Sequence, residues 1–138
     1  MWLLDTNAAI HLRDGNEAVE RKVATLQGEL FLSVISFVEL QGGLYRDLTQ
    51  TERMRARLDA IIESVTILTF RADEAERYGE IVKHAGYSRP KLLDRMIAAQ
   101  AILAHATLIT MNGEDFRDIP GLTLEIWPSP QRWPNPLV

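Results

Sequence analysis

The stretch that decides the fold is Met1-Trp2-Leu3-Leu4-Asp5-Thr6-Asn7. Trp2, Leu3 and Leu4 make a short apolar run, which reads as a buried strand of a parallel sheet covered on both faces. Asp5 stands where that strand ends, and Thr6 and Asn7 offer capping side chains to a following helix. In open α/β sheets, ligands bind beyond the carboxyl ends of the strands. An aspartate delivered there is the reference point for the rest of the chain. What matters next is which residues are brought to it.

Working outward, hydrophobic periodicity predicts helices at Ala8–Arg13 and at 17–27, the latter ended by Gly28. Further helices are predicted over Ser36–Leu44, Thr51–Ser64, Asp73–Ala85 and Leu92–Ala106, the last dominated by Ala and Leu. Strands are predicted at Leu30–Val34, Val65–Phe70, Thr107–Thr110 and Leu122–Trp127, with a helical turn at Gly113–Phe116. Strands alternating with helices indicate an α/β fold with a mainly parallel, five-stranded sheet and right-handed crossovers. One domain is expected over residues 1–127. The tail from Pro128 to Val138 carries four prolines, cannot continue a sheet and should be extended.

The chain has 138 residues, 46% apolar and 25% charged, which suits a single globular domain. There is no cysteine, which excludes a disulfide framework and a thiolate zinc site. The start does not read as a signal peptide, and no apolar run approaches the roughly 20 residues of a membrane helix. No membrane association is expected, and the cytoplasm is the expected location. The net charge of −4 argues against binding nucleic acid by bulk charge. It allows an enzyme whose acidic site holds divalent cations that meet phosphates.

Three further acids are candidates to join Asp5. Glu39 follows the second strand by about one turn. Its structural role would be a capping box, Ser36-x-x-Glu39, which also puts the carboxylate at a helix N-terminus. Asp94 lies in the first turn of the Ala-rich helix, where an acid complements the helix dipole. It heads a face with Ala98 and Ala101, so it reads as a carboxylate held against the core. A helix leading into a strand is expected to begin at the sheet's far side or midway, so this turn would have to bend toward the carboxyl edge. Asp115 follows the fourth strand, and Asn112 three residues earlier would cap that turn. In a parallel sheet the acids at 5, 39 and 115 share one edge. No Lys or Arg accompanies each acid as a local counter-charge, so a metal is the natural one. Oxygen-only ligands select Mg²⁺ or Mn²⁺ over zinc or copper. Rival α/β chemistries lack their motifs, since G-x-G-x-x-G, G-x-x-x-x-G-K-[ST] and G-x-S-x-G are all absent.

In order and spacing, these segments resemble the PIN-domain ribonucleases, and among them VapC-type toxins of bacterial toxin–antitoxin pairs. The resemblance runs from Met1 to Trp127. It rests on Leu4-Asp5-Thr6-Asn7, Ser36-Phe37-Val38-Glu39-Leu40, the stretch Leu93-Asp94-Arg95-Met96-Ile97-Ala98-Ala99-Gln100-Ala101, and Thr110-Met111-Asn112-Gly113-Glu114-Asp115-Phe116 followed by Ile119-Pro120-Gly121-Leu122. It implies a three-layer fold with Asp5, Glu39, Asp94 and Asp115 around one or two Mg²⁺ or Mn²⁺ ions, supported by Thr6 and Asn112. It further implies an RNA substrate, a homodimer and an inhibitory antitoxin protein. The chain departs in Tyr87-Ser88-Arg89-Pro90-Lys91, more basic than the family pattern, and in its longer proline-rich tail.

The implied reaction is hydrolysis of an RNA phosphodiester to a 5′-phosphate and a 3′-hydroxyl. Arg89, Lys91 and Arg95 are candidates for RNA phosphate contact; the competing reading is solvated charge at a helix start. The alternative from another class is a non-catalytic RNA- or protein-binding module on the same scaffold, which need not keep four acids. A metal-dependent DNA nuclease is a second rival.

Overall fold

A computed structural model describes residues 1–130 of the chain. Five strands, β1 (Trp2–Leu4), β2 (Leu30–Ser33), β3 (Thr66–Leu68), β4 (Thr107–Thr110) and β5 (Leu124–Ile126), form one sheet in the order β3-β2-β1-β4-β5. Every pairing is parallel. The register sets Leu3 beside Phe31 and Leu108, and Leu4 beside Leu32 and Ile109. Side chains alternate across a strand, so these two rows line opposite faces. Leu3, Phe31 and Leu108 join one core cluster, while Leu4, Leu32 and Ile109 join another. Both leucines of β1 are fully buried, which is why the strand reads as a continuous apolar run.

Six helices complete three layers. α1 (Thr6–Arg13), α2 (Glu17–Thr25), α3 (Val34–Gly43) and α4 (Thr51–Ser64) contribute mainly to the Leu4 core. α5 (Ala72–Ala85) and α6 (Leu92–Leu103) pack on each other and contribute to the Leu3 core. The order reverses at β1, whose neighbours are β2 on one side and β4 on the other. A crevice opens at the carboxyl ends of strands at such a switch point, and Asp5 stands at its lip.

Two boundaries differ from the sequence reading for reasons that bear on the site. α3 begins two residues early, at Val34. Ser33 is its N-cap, accepting a hydrogen bond from the Ile35 N–H. Ser36 is therefore a buried residue inside the helix, and the expected capping box with Glu39 does not form. α6 stops at Leu103, because Ala104 caps it and His105 turns into the left-handed region at φ 53°.

The expected difficulty with Asp94 also disappears. α6 leads into a parallel strand, so it runs back across the sheet and its first turn lies at the carboxyl edge without any bend. Its 12 residues span roughly 18 Å. Gln100 locks the helix to the sheet. Its side chain donates to the carbonyls of Leu68 (3.1 Å) and Thr69 (3.0 Å) and accepts from the Ser33 hydroxyl. Of the expected tail, residues 131–138 lie outside the described residues, and Pro128–Pro130 has no regular structure.

Candidate active site

Asp5 is 4% exposed. It caps α1, with Oδ1 accepting from the Ala8 N–H at 2.8 Å. The capping geometry that starts the helix thus fixes the carboxylate. The Thr110 hydroxyl and the Met111 N–H also bond it. Burial nonetheless pushes its pKa above the ordinary value, outweighing those donors, with the charge of Asp115 adding to the rise. β1 and β4 are in register at Leu4 and Ile109, so Asp5 and Thr110 come level one step further on.

Thr6 opens α1 and turns its hydroxyl toward α3, 2.8 Å from the Ser36 Oγ. It also bonds the Glu39 carboxylate, which partly offsets the upward push of desolvation on that group. Asn112 takes the N-cap position of the short turn Gly113–Phe116, but its side chain makes no capping hydrogen bond. Its Nδ2 instead donates to Asp115 Oδ2 at 2.7 Å, and its N–H donates to the Thr110 Oγ1 at 3.0 Å. Thr110, fully buried, therefore serves Asp5 and Asn112 together.

Asp94 carries the largest perturbation. Burial and the charges of Asp115, Asp5 and Glu39 push its pKa up to about 6, against a smaller opposing effect of Lys91. The four acids, Thr6 and Asn112 border one cleft of about 200 Å³. The donor set is all oxygen and Lys91 offsets only part of its mutual repulsion, which fits a hard divalent cation in chemistry and charge. Among the described residues, no three His, Cys, Asp or Glu side chains converge on one ion position; the acids ring the cleft instead.

Arg95 requires a correction. Expected at an RNA phosphate, it is 2% exposed. Its Nη1 donates to the Gly86 carbonyl at 2.6 Å, and its Nη2 lies 3.4 Å from Asp118 Oδ2. Its Nε has no partner, so the fork is committed inward. Arg89 is exposed and Lys91 half-buried; they flank Pro90, which with Leu93 borders the cleft. The sequence reading missed Ser36 and Thr110. The strand register alone would have found Thr110, because the residue level with Asp5 on the neighbouring strand faces the same crevice.

The buried Asp5 at the switch point and three more acids on separate elements make one acidic cleft, the kind of site a nuclease of this fold carries. The PIN-domain family model matches residues 2–122, and the chain belongs to that family. It is 33% identical to ribonuclease VapC1 of Rickettsia felis over 126 residues, covering 87% of this chain and 91% of that protein. It is 27% identical to the tRNA(fMet)-specific endonuclease VapC of Shigella flexneri, covering 91% of this chain and 97% of that one. The crystal structure of VapBC2 from Rickettsia felis bound to a promoter DNA fragment contains a chain of the same fold. That chain matches with a TM-score of 0.78 and 28% identity, covering 91% of this chain and 98% of that one.

Proposed function

We propose that the protein is a Mg²⁺- or Mn²⁺-dependent endoribonuclease, the toxin of a toxin–antitoxin pair. The observation that carries this is the gathering of Asp5, Glu39, Asp94 and Asp115 around one cleft, where burial first and then the other three charges push the Asp94 pKa up to about 6. Asp5, Glu39, Asp94 and Asp115, which ring the cleft, would hold one or two such cations between them, Asp115 serving a second ion or a water. Bound there, the cation lowers the pKa of water and offsets charge on the phosphoryl oxygens. The chain's own contribution is positional. Thr6 steadies Glu39, Asn112 steadies Asp115, and Thr110 with the Ala8 N–H steadies Asp5. Water attacks phosphorus in line with the departing ribose oxygen, leaving a 5′-phosphate and a 3′-hydroxyl.

The names of the VapC relatives support RNA as substrate, and the VapBC complex supports an antitoxin partner. A basic side chain entering the acidic cleft would be the antitoxin's natural contact. We take residues 1–127 as the nuclease unit and the cytoplasm as its place of action. No helix among the described residues is long and apolar enough to cross a membrane.

The test is cleavage of single-stranded RNA and transfer RNA by the purified protein, with Mn²⁺, Mg²⁺ or EDTA. Cleavage with either metal and none in EDTA is expected. Equal cleavage in excess EDTA would refute the metal dependence. Binding without cleavage under every condition, together with harmless overexpression in bacteria, would favour the binding module.

A further inference from the structure

We infer that the loop from Gly86 to Lys91 is a preformed lip for single-stranded RNA, on which Tyr87 stacks a base while Arg89 and Lys91 meet the flanking phosphates. This rests on the ribonuclease reading and assigns its substrate contact to particular residues. Tyr87 is 72% exposed, a large aromatic face that the fold leaves open to water. The loop around it is nonetheless held at both ends. Gly86 caps α5 at φ 87°, with its N–H bonded to the Val82 carbonyl at 2.8 Å. The buried Arg95 guanidinium grips the Gly86 carbonyl at 2.6 Å. At the other end, the Leu92 N–H bonds the Arg89 carbonyl at 3.2 Å, and the Arg95 N–H bonds the Lys91 carbonyl at 3.0 Å. An aromatic ring on a pinned loop loses little conformational freedom on binding.

The lip adjoins the chemistry. Pro90 and Leu93 border the acid cleft, and Asp94 feels the charge of Lys91. Neither Arg89 nor Lys91 forms an ion pair among the described residues. Two unpaired cations thus flank Pro90, at the rim of a site whose own charge would repel a polynucleotide. Single-stranded RNA is the ligand that uses an exposed ring and spaced cations together, because unstacked bases stack on aromatics while phosphates meet Arg and Lys.

The test uses the full chain carrying Asp94→Asn, in EDTA, with a short fluorescein-labelled single-stranded RNA read by anisotropy. Adding Tyr87→Ala should weaken binding about tenfold, and Tyr87→Phe should restore it, since stacking needs the ring and not the hydroxyl. Tyr87→Ala should leave the dependence on log salt unchanged. Arg89→Gln and Lys91→Gln should each lower that slope by about 0.7. In the otherwise wild-type enzyme, Tyr87→Ala should raise KM more than it lowers kcat, with Tm unmoved. Unchanged affinity in Tyr87→Ala, equal loss in Tyr87→Phe, or weakened binding to a protein partner but not to RNA would each overturn the lip. Cleavage of RNA with wild-type constants by the loop variants would overturn it while leaving the ribonuclease reading intact. Failure of the wild-type chain to cleave RNA would instead count against that reading.

Discussion

The guanidinium of Arg95 reaches Asp118 across 3.4 Å, and this pair ties the helix carrying Asp94 to the segment just beyond Asp115. One partner is buried and the other half-exposed. Asp118→Asn should therefore leave a buried cation short of its counter-charge, at a cost of about 1–3 kcal/mol. A lower Tm by thermal melt checks this. Arg95→Lys should also melt lower, because an ammonium cannot replace a fork that spans Gly86 and Asp118.

Asp94→Asn should stabilise the metal-free protein and remove most of its response to metal. Water screens a half-buried carboxylate, so the gain is about 1 kcal/mol, or a few degrees of Tm. The rise in Tm with Mn²⁺ should shrink with the lost ligand. A purely structural role in the helix dipole predicts the reverse, a slightly lower Tm in EDTA and an intact metal shift. Two melts per variant, in EDTA and in excess Mn²⁺, separate the outcomes.

The same group sets a pH dependence. Asp94 has a folded pKa of about 6 against an ordinary 3.8, so between those values the folded state binds more protons than the unfolded one. Its stabilising contribution is complete below about 3.8 and is lost as pH rises through about 6. Asp5 and Glu39, both raised, act in the same direction. In EDTA, the stability difference between Asp94→Asn and wild type should widen from pH 4 to pH 7 in urea titrations. A constant difference would contradict the shift.

Thr110→Val keeps the side-chain volume and deletes a hydroxyl that serves Asp5 and the Asn112 N–H. Expected are a loss of about 1–2 kcal/mol in urea unfolding and a higher Mn²⁺ concentration for the half-maximal Tm shift. Unchanged metal dose would mean that Thr110 supports the fold alone.

A homodimer, implied by the family resemblance, is the expected assembly. The apolar residues of α4 are mostly covered, with Leu58 and Ile61 buried and Met54 and Ile62 packed on the core. What stays open is Val38 on α3 and Tyr45 and Leu48 after it, at 65%, 56% and 76% exposure. Light scattering should give twice the chain mass, and Val38→Asp should reduce it. A monomer at high micromolar concentration would count against the assembly.

Element order, the parallel sheet and the grouping of acids at one edge were legible in the sequence. They follow from local periodicity: β1 is a bare apolar run, and a parallel sheet sends every strand's successor to the same edge. Only the tertiary structure decided where α3 begins: Ser33, at the end of β2, accepts from the Ile35 N–H and starts the helix before Ser36 is reached. It also decided the fate of Arg95. In sequence that residue is one cation among Arg89, Lys91 and Arg95, but the fold supplies acceptors at Gly86 and Asp118 and buries it. The pKa of Asp94 belongs to the tertiary structure too, since burial and then charges from three distant segments raise it at the cleft. Such effects depend on distance through space, which spacing along a chain does not encode.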